Sequence, residues 1–223
     1  MPRLARIDLA NEVYHVINRA NGRMTIFREE DDYLLFEKLM LDAKELTGIR
    51  IIAYVIMPNH WHLILSPVHD GDMGLFMHRL TNSHTRNYHV LTKTIGTGHL
   101  YQGRYKSFLV DNDSYLLSLL KYIERNPVRA KLTEKCEDWK WGSSWRRANG
   151  TAKEKKLLDP SPTPIPDGYL MWVNEPDKEE DIFAIRNSIN KGVPFGKSAW
   201  VDAMVEAHGL ESTRRKTGRP KKG

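Results

Sequence analysis

Cysteine is almost absent. Among 223 residues only Cys136 occurs, so no internal disulfide and no cysteine-built zinc cluster can staple the fold. A chain of this length, with a prior of one to two domains, can bury a core without such help. Long apolar runs are missing too: the longest unbroken one, residues 51–57, is far short of the roughly 20 residues that cross a bilayer. The first twenty residues carry three arginines and no apolar core of the signal-peptide kind. Disulfide-rich secreted scaffolds and membrane spans are thereby excluded, and a cytoplasmic location is expected.

Acidic residues are the scarcer charge, 28 against 34 Lys and Arg, for a net +6. Its placement is uneven. Residues 101–150 hold ten basic and six acidic side chains, residues 151–210 hold seven and ten, and the last thirteen hold six and one. Positive charge gathered in one central segment and a short tail points to a polyanion, and to nucleic acid before membrane because no basic amphipathic helix accompanies it.

The order of elements is legible from periodicity. Residues 12–19 alternate as a strand before Asn21-Gly22, and residues 31–46 place Leu35, Phe36, Leu39, Ala43 and Leu46 at helical spacing up to Gly48. Residues 49–57 form a near-continuous apolar stretch, read as the central strand of a sheet. After Pro58-Asn59 the alternation resumes over residues 60–66, with His60, His62 and Ile64 on one face and Trp61, Leu63 and Leu65 on the other. Residues 75–91 suit a helix and 101–110 a strand or hairpin arm. Asn112-Asp113-Ser114 caps a helix with core positions Leu116, Leu119, Leu120 and Ile123, ending near Pro127. This β-α-β-β-α-β order is the split βαβ pattern, an α+β ferredoxin-like antiparallel sheet with helices on one face. The expected layout is an α+β domain over residues 1–148, a proline-rich extended connection over 149–180, a helical extension over 181–210 and a basic tail over 211–223.

Two imidazoles at alternate strand positions lie about 7 Å apart by backbone rise, close enough to converge on one divalent metal; packing is the competing reading. On the helix, Tyr122 and Asn126 are about 40° apart in azimuth and about 6 Å apart along the axis. Tyr122 there reads either as an amphipathic residue at the core edge or as a group beside a metal held by Asn126.

The set His60-Trp61-His62 after Met57-Pro58-Asn59, then Tyr101-Gln102-Gly103-Arg104-Tyr105, then residues 122–130 (YIERNPVRA), resembles the REP-associated tyrosine transposases, single-tyrosine members of the HUH nucleases. The resemblance spans roughly residues 5–145. It implies that the domain over residues 1–148 is catalytic, with His60 and His62 as metal ligands, Asn126 as the third ligand and Tyr122 as the nucleophile. It also implies a divalent cofactor, Mg²⁺ or Mn²⁺, and a substrate of single-stranded DNA bearing a palindromic hairpin. The wider HUH class carries Gln, Glu or His at the third position, where this chain has the shorter Asn126. A monomer associated with the nucleoid is expected, with a dimer as the alternative.

The chemistry demands such residues. An ordinary phenol has a pKa near 10, so only about one in a thousand is ionised at pH 7, and attack needs a nearby cation or base. Arg104, Lys106 and Arg129 are candidate phosphate contacts, whereas Lys121 and Arg125 fit a solvated helix face equally well. Trp139, Trp141 and Trp145 either stack bases or cover the sheet edge. In the tail, Arg214, Arg215, Lys216, Arg219, Lys221 and Lys222 surround a Gly-Arg-Pro of the kind that enters a narrow minor groove; a non-specific electrostatic arm is the equal alternative. Two other functions compete with strand transfer: a non-catalytic hairpin binder, and a metallohydrolase that uses bound water.

Overall fold

The structure, a computed structural model, describes residues 7–214. Four strands form one antiparallel sheet: β1 (Val13–Arg19), β2 (Arg50–Met57), β3 (His60–Ser66) and β4 (Lys106–Val110), in the order β2-β3-β1-β4. That is the ferredoxin-like arrangement expected of the split pattern. Helix α1 (Glu30–Thr47) starts in a reciprocal capping box between Glu29 and Asp32 and stops at Gly48, whose φ of +69° few other residues adopt. Helix α2 (Asp72–Leu91) packs beside it. Both lie on one face of the sheet, where Phe36, Met40, Phe76 and Leu80 meet Val16, Trp61, Leu63 and Leu65.

The other face is also covered. Helix α3 (Ser114–Glu124), opened by the Asp113 side chain on the Tyr115 N–H, buries Leu116, Leu119, Leu120 and Ile123 against Ala53, Val55, Ile64 and Phe108. After it come the single turn α4 (Asn126–Arg129), α5 (Ser143–Asn149), α6 (Ala152–Lys155), α7 (Tyr169–Asn174), α8 (Glu179–Lys191) and α9 (Ser198–Ala207). The proline-rich stretch, expected as an extended connection without packed core, contains α7, whose Tyr169 and Val173 are buried in this second core together with Ile185 of α8. Prolines end helices without preventing short ones between them.

One strand assignment is corrected. β2 is not central but outermost, and its long apolar run has another cause: its free edge is sealed by chain from further on. The Ile56 N–H donates to the Trp141 carbonyl, the Asp159 N–H to the Ile51 carbonyl, and the Tyr54 N–H to the Ser143 hydroxyl. Trp139 adds its indole N–H to the Ile56 carbonyl, and the Trp141 ring stacks on Tyr33 within the core, so of the three candidate tryptophans Trp139 covers the sheet edge with its side chain. The opposite edge, β4, is closed by Phe195, whose N–H bonds the Leu109 carbonyl and whose carbonyl takes the Asp111 N–H. Gly196 permits that approach, since a Cβ there would lie 2.6 Å from Asp111. A sheet with both edges covered offers no template for unwanted pairing.

Candidate functional site

Strand alternation puts His60 and His62 on the α3 side of β3, with ring centres 5.2 Å apart. Opposite them on β1 stand Arg19 and Ile17. Each imidazole has one nitrogen engaged: His60 Nδ1 meets the Asn59 side-chain oxygen at 2.6 Å, and His62 Nδ1 meets Nε2 of His15 at 2.8 Å. No described residue bonds to Nε2 of either ring. Burial, aided by Arg19, pushes His60 down to about 4, and burial and the neighbouring His15 hold His62 well below the ordinary imidazole value. Both rings are therefore neutral at pH 7, the state in which imidazole ligates metal.

Helix α3 delivers Tyr122 to the same face. Its ring centre is 6.3 Å from that of His62, edge to face, and the residue is only 7 % exposed. The helix is held in place by Glu124, whose buried carboxylate accepts from the hydroxyls of Ser143, Ser144 and Tyr169 and from Arg147. Asn126 follows Tyr122 by four residues, at the start of α4 and just beyond the Arg125 that ends α3. Its Nδ2 is buried and has no hydrogen-bond partner among the described residues. No three His, Cys, Asp or Glu side chains are arranged among those residues so that they could hold a metal ion. Two neutral imidazoles, each with an Nε2 that no described residue engages, fit a divalent cation, and an Asn126 ligand would bind it through the side-chain oxygen.

The cationic candidates part company. Arg104 and Lys106 are exposed and line, with Arg19, Asn18 and Asn190, a groove of about 320 Å³ that starts beside the histidine pair. Arg129 reaches the site differently: its guanidinium lies 4.2 Å over the Tyr122 ring, bonds the Tyr122 carbonyl and pairs with Asp177 at 3.0 Å. The solvated face suggested for Lys121 and Arg125 is not there. Lys121 is buried with its ammonium 4.6 Å over Trp172, and Arg125 bonds Asp177 and the carbonyls of Val173 and Asn174. Of the basic tail residues Arg214 alone is described, and it pairs with Asp202 at 2.5 Å; Arg215, Lys216, Arg219, Lys221 and Lys222 lie outside the described residues. The sequence reading missed His15 and Glu124. His15 had half a signal: alternation groups it with Val13 and Ile17, and only the register of β1 with β3 puts that face with His60 and His62.

Comparison with known proteins gives three results. Residues 9–126 match the family model described as "Transposase IS200 like". No curated protein matches the chain. Among solved structures, the chain is similar to a REP-associated tyrosine transposase bound to a REP hairpin, at 19 % identity and a TM-score of 0.55 over 67 % of this chain and 87 % of that one. It is also similar to a putative transposase from Deinococcus radiodurans R1, at 19 % identity and a TM-score of 0.37 over 59 % and 91 %.

Proposed function

The chain belongs to the IS200-like transposase family, a family of DNA-processing enzymes, and from that premise we propose that it nicks and rejoins single-stranded DNA at palindromic hairpins of the REP type, with Tyr122 as nucleophile. The observation that carries this reading is the convergence of His60, His62 and Tyr122 from β3 and α3 on one face of the sheet, with ring centres 5.2 and 6.3 Å apart in succession. Asn126, four residues after Tyr122 and just beyond the end of α3, is the third donor in this reading, through its side-chain oxygen.

In this reading His60, His62 and Asn126 hold a Mg²⁺ or Mn²⁺ ion. When bound, such an ion neutralises charge on a phosphate oxygen and so lowers the barrier to in-line attack. The remaining work belongs to the protein. Tyr122 loses its phenolic proton to water, its oxygen bonds the phosphorus, and the bond from phosphorus to the 3′ oxygen breaks; that oxygen takes a proton and leaves as a hydroxyl. One phosphodiester replaces another, so the step is near balance and the same site can rejoin strands without ATP. Arg129, stacked on the ring and bonded to the Tyr122 carbonyl, holds the nucleophile's orientation. The groove lined by Arg19, Arg104 and Lys106 offers cations for the backbone of the entering strand.

The test incubates wild type and Tyr122→Phe with labelled hairpin DNA drawn from palindromes flanking the protein's own gene, plus Mn²⁺, and separates the products on denaturing gels. A covalent adduct that is lost with Tyr122→Phe and with chelator is the expected result. Cutting by both proteins without an adduct points instead to metal-activated water. A hairpin-binding protein that does not cut is a second reading, favoured by the near-complete burial of Tyr122; it predicts bound DNA and no cut product.

A further inference from the structure

Resting on the metal-site reading above, we propose that His15 is a positioning residue, a buried imidazole that fixes which nitrogen of His62 faces the cation. His15 is fully buried on β1, opposite Ile64, while His62 stands opposite Ile17. The two are thus diagonal neighbours on one face. Their rings join nitrogen to nitrogen at 2.8 Å, with centres 5.0 Å apart and planes 22° from parallel, the arrangement of two rings meeting edge to edge. Phe108 packs against His15 at 4.8 Å. Packing alone has no need of histidine here, because the flanking positions on this face are Val13 and Ile17 and an aliphatic residue would serve. The histidine even carries a penalty: its Nδ1 is buried without a hydrogen-bond partner among the described residues.

The bridge between the rings holds one proton. For Nε2 of His62 to offer its lone pair to a cation, the ring proton of His62 must sit on Nδ1 and be donated to Nε2 of His15. His15 then keeps its own proton on Nδ1, and it acts as a neutral acceptor. Such outer partners set both tautomer and ring orientation of a ligating histidine. A neutral partner has a further consequence that a carboxylate would not: it orients the ligand without adding negative charge, so the cation's charge is left for the phosphate of the substrate.

The test titrates Mn²⁺ into full-length protein without DNA and follows the free ion by electron paramagnetic resonance, for wild type, His60→Ala, His15→Phe and His15→Gln. Phenylalanine keeps the ring against Phe108 but has no acceptor, whereas glutamine places an acceptor oxygen about where Nε2 lies. The expected pattern is Mn²⁺ binding weakened about 10- to 100-fold in His15→Phe and largely restored in His15→Gln. Should His15→Phe melt below the assay temperature, His15→Leu carries the same comparison. A wild type whose Mn²⁺ binding is absent or indifferent to His60→Ala overturns the metal-site reading and this inference with it. Binding that needs His60 but is unchanged in His15→Phe, or is weaker in His15→Gln than in His15→Phe, overturns the inference alone.

Discussion

Glu124 has no exposed side-chain surface, yet it carries four donors: three hydroxyls and the Arg147 guanidinium. Replacing it with alanine leaves those donors facing an apolar gap, and the expected loss is about 3–5 kcal/mol, as for other broken buried pairs. Urea unfolding checks this: the midpoint should fall with the slope unchanged. The buried histidines give a second expectation. Burial pushes His15 and His84 down to about 3 and His60 to about 4, and holds His62 below its ordinary value. Between pH 6.5 and 4 the unfolded chain therefore binds more protons than the folded one, and stability rises with pH. The metal-free protein should lose stability steadily below pH 6.5, each histidine adding a slope of up to about 1.4 kcal/mol per pH unit. Urea midpoints at pH 7, 6 and 5 measure it, and His84→Leu should flatten the decline. At this scale the sequence was readable wherever a residue's partners lay close by. His60 and His62 could be seen from strand alternation alone, whereas Glu124 gives no signal because its partners lie 19 to 45 residues further along.

Among the elements, β2 depends on chain that follows it. Asp159 accepts from the Ile51 N–H at 2.8 Å and from the Lys44 ammonium at 2.6 Å, tying the outer strand to α1. Asp159→Ala removes both bonds at a partly exposed position, and a loss of about 1–2 kcal/mol is expected, read as a lower thermal midpoint. The dependence explains the misplacement of β2 in the sequence reading. An apolar run reports that both faces of a strand are covered and carries no information about its edges, and the segment that covers the edge shows no strand pattern of its own. The same limit applies to α7. Its six residues between Pro166 and Pro176 are too few for helical periodicity to stand out, although Val173 is as buried as any position in the sheet. Strong periodic elements, β1, α1 and β3, were legible to within about two residues, the usual uncertainty of helix and strand ends, whereas α3 stops at Glu124, three residues short of Pro127, which instead sits in the first turn of α4.

At the level of the molecule, the acidic stretch at 151–210 sits partly on the basic stretch at 101–150. Asp177, its side chain 7 % exposed, engages Arg125 and Arg129 together. This pairing consumes two of the charges that composition assigns to a polyanion. Asp177→Asn should free them, steepening the salt dependence of single-stranded DNA binding by about 0.7 for each phosphate they neutralise, up to about 1.4 for two. A slope equal to that of wild type across a salt titration would mean that these arginines never reach DNA. The closed sheet edges have a different consequence, in the order of synthesis. The fourth strand is complete at Val110, but the segments that close the sheet end only at Asp159 on one side and Phe195 on the other. At about 5–20 residues per second, a nascent chain carries a finished but open sheet for several seconds. Its dependence on chaperones during translation should peak in that interval and fall once Phe195 has left the ribosome.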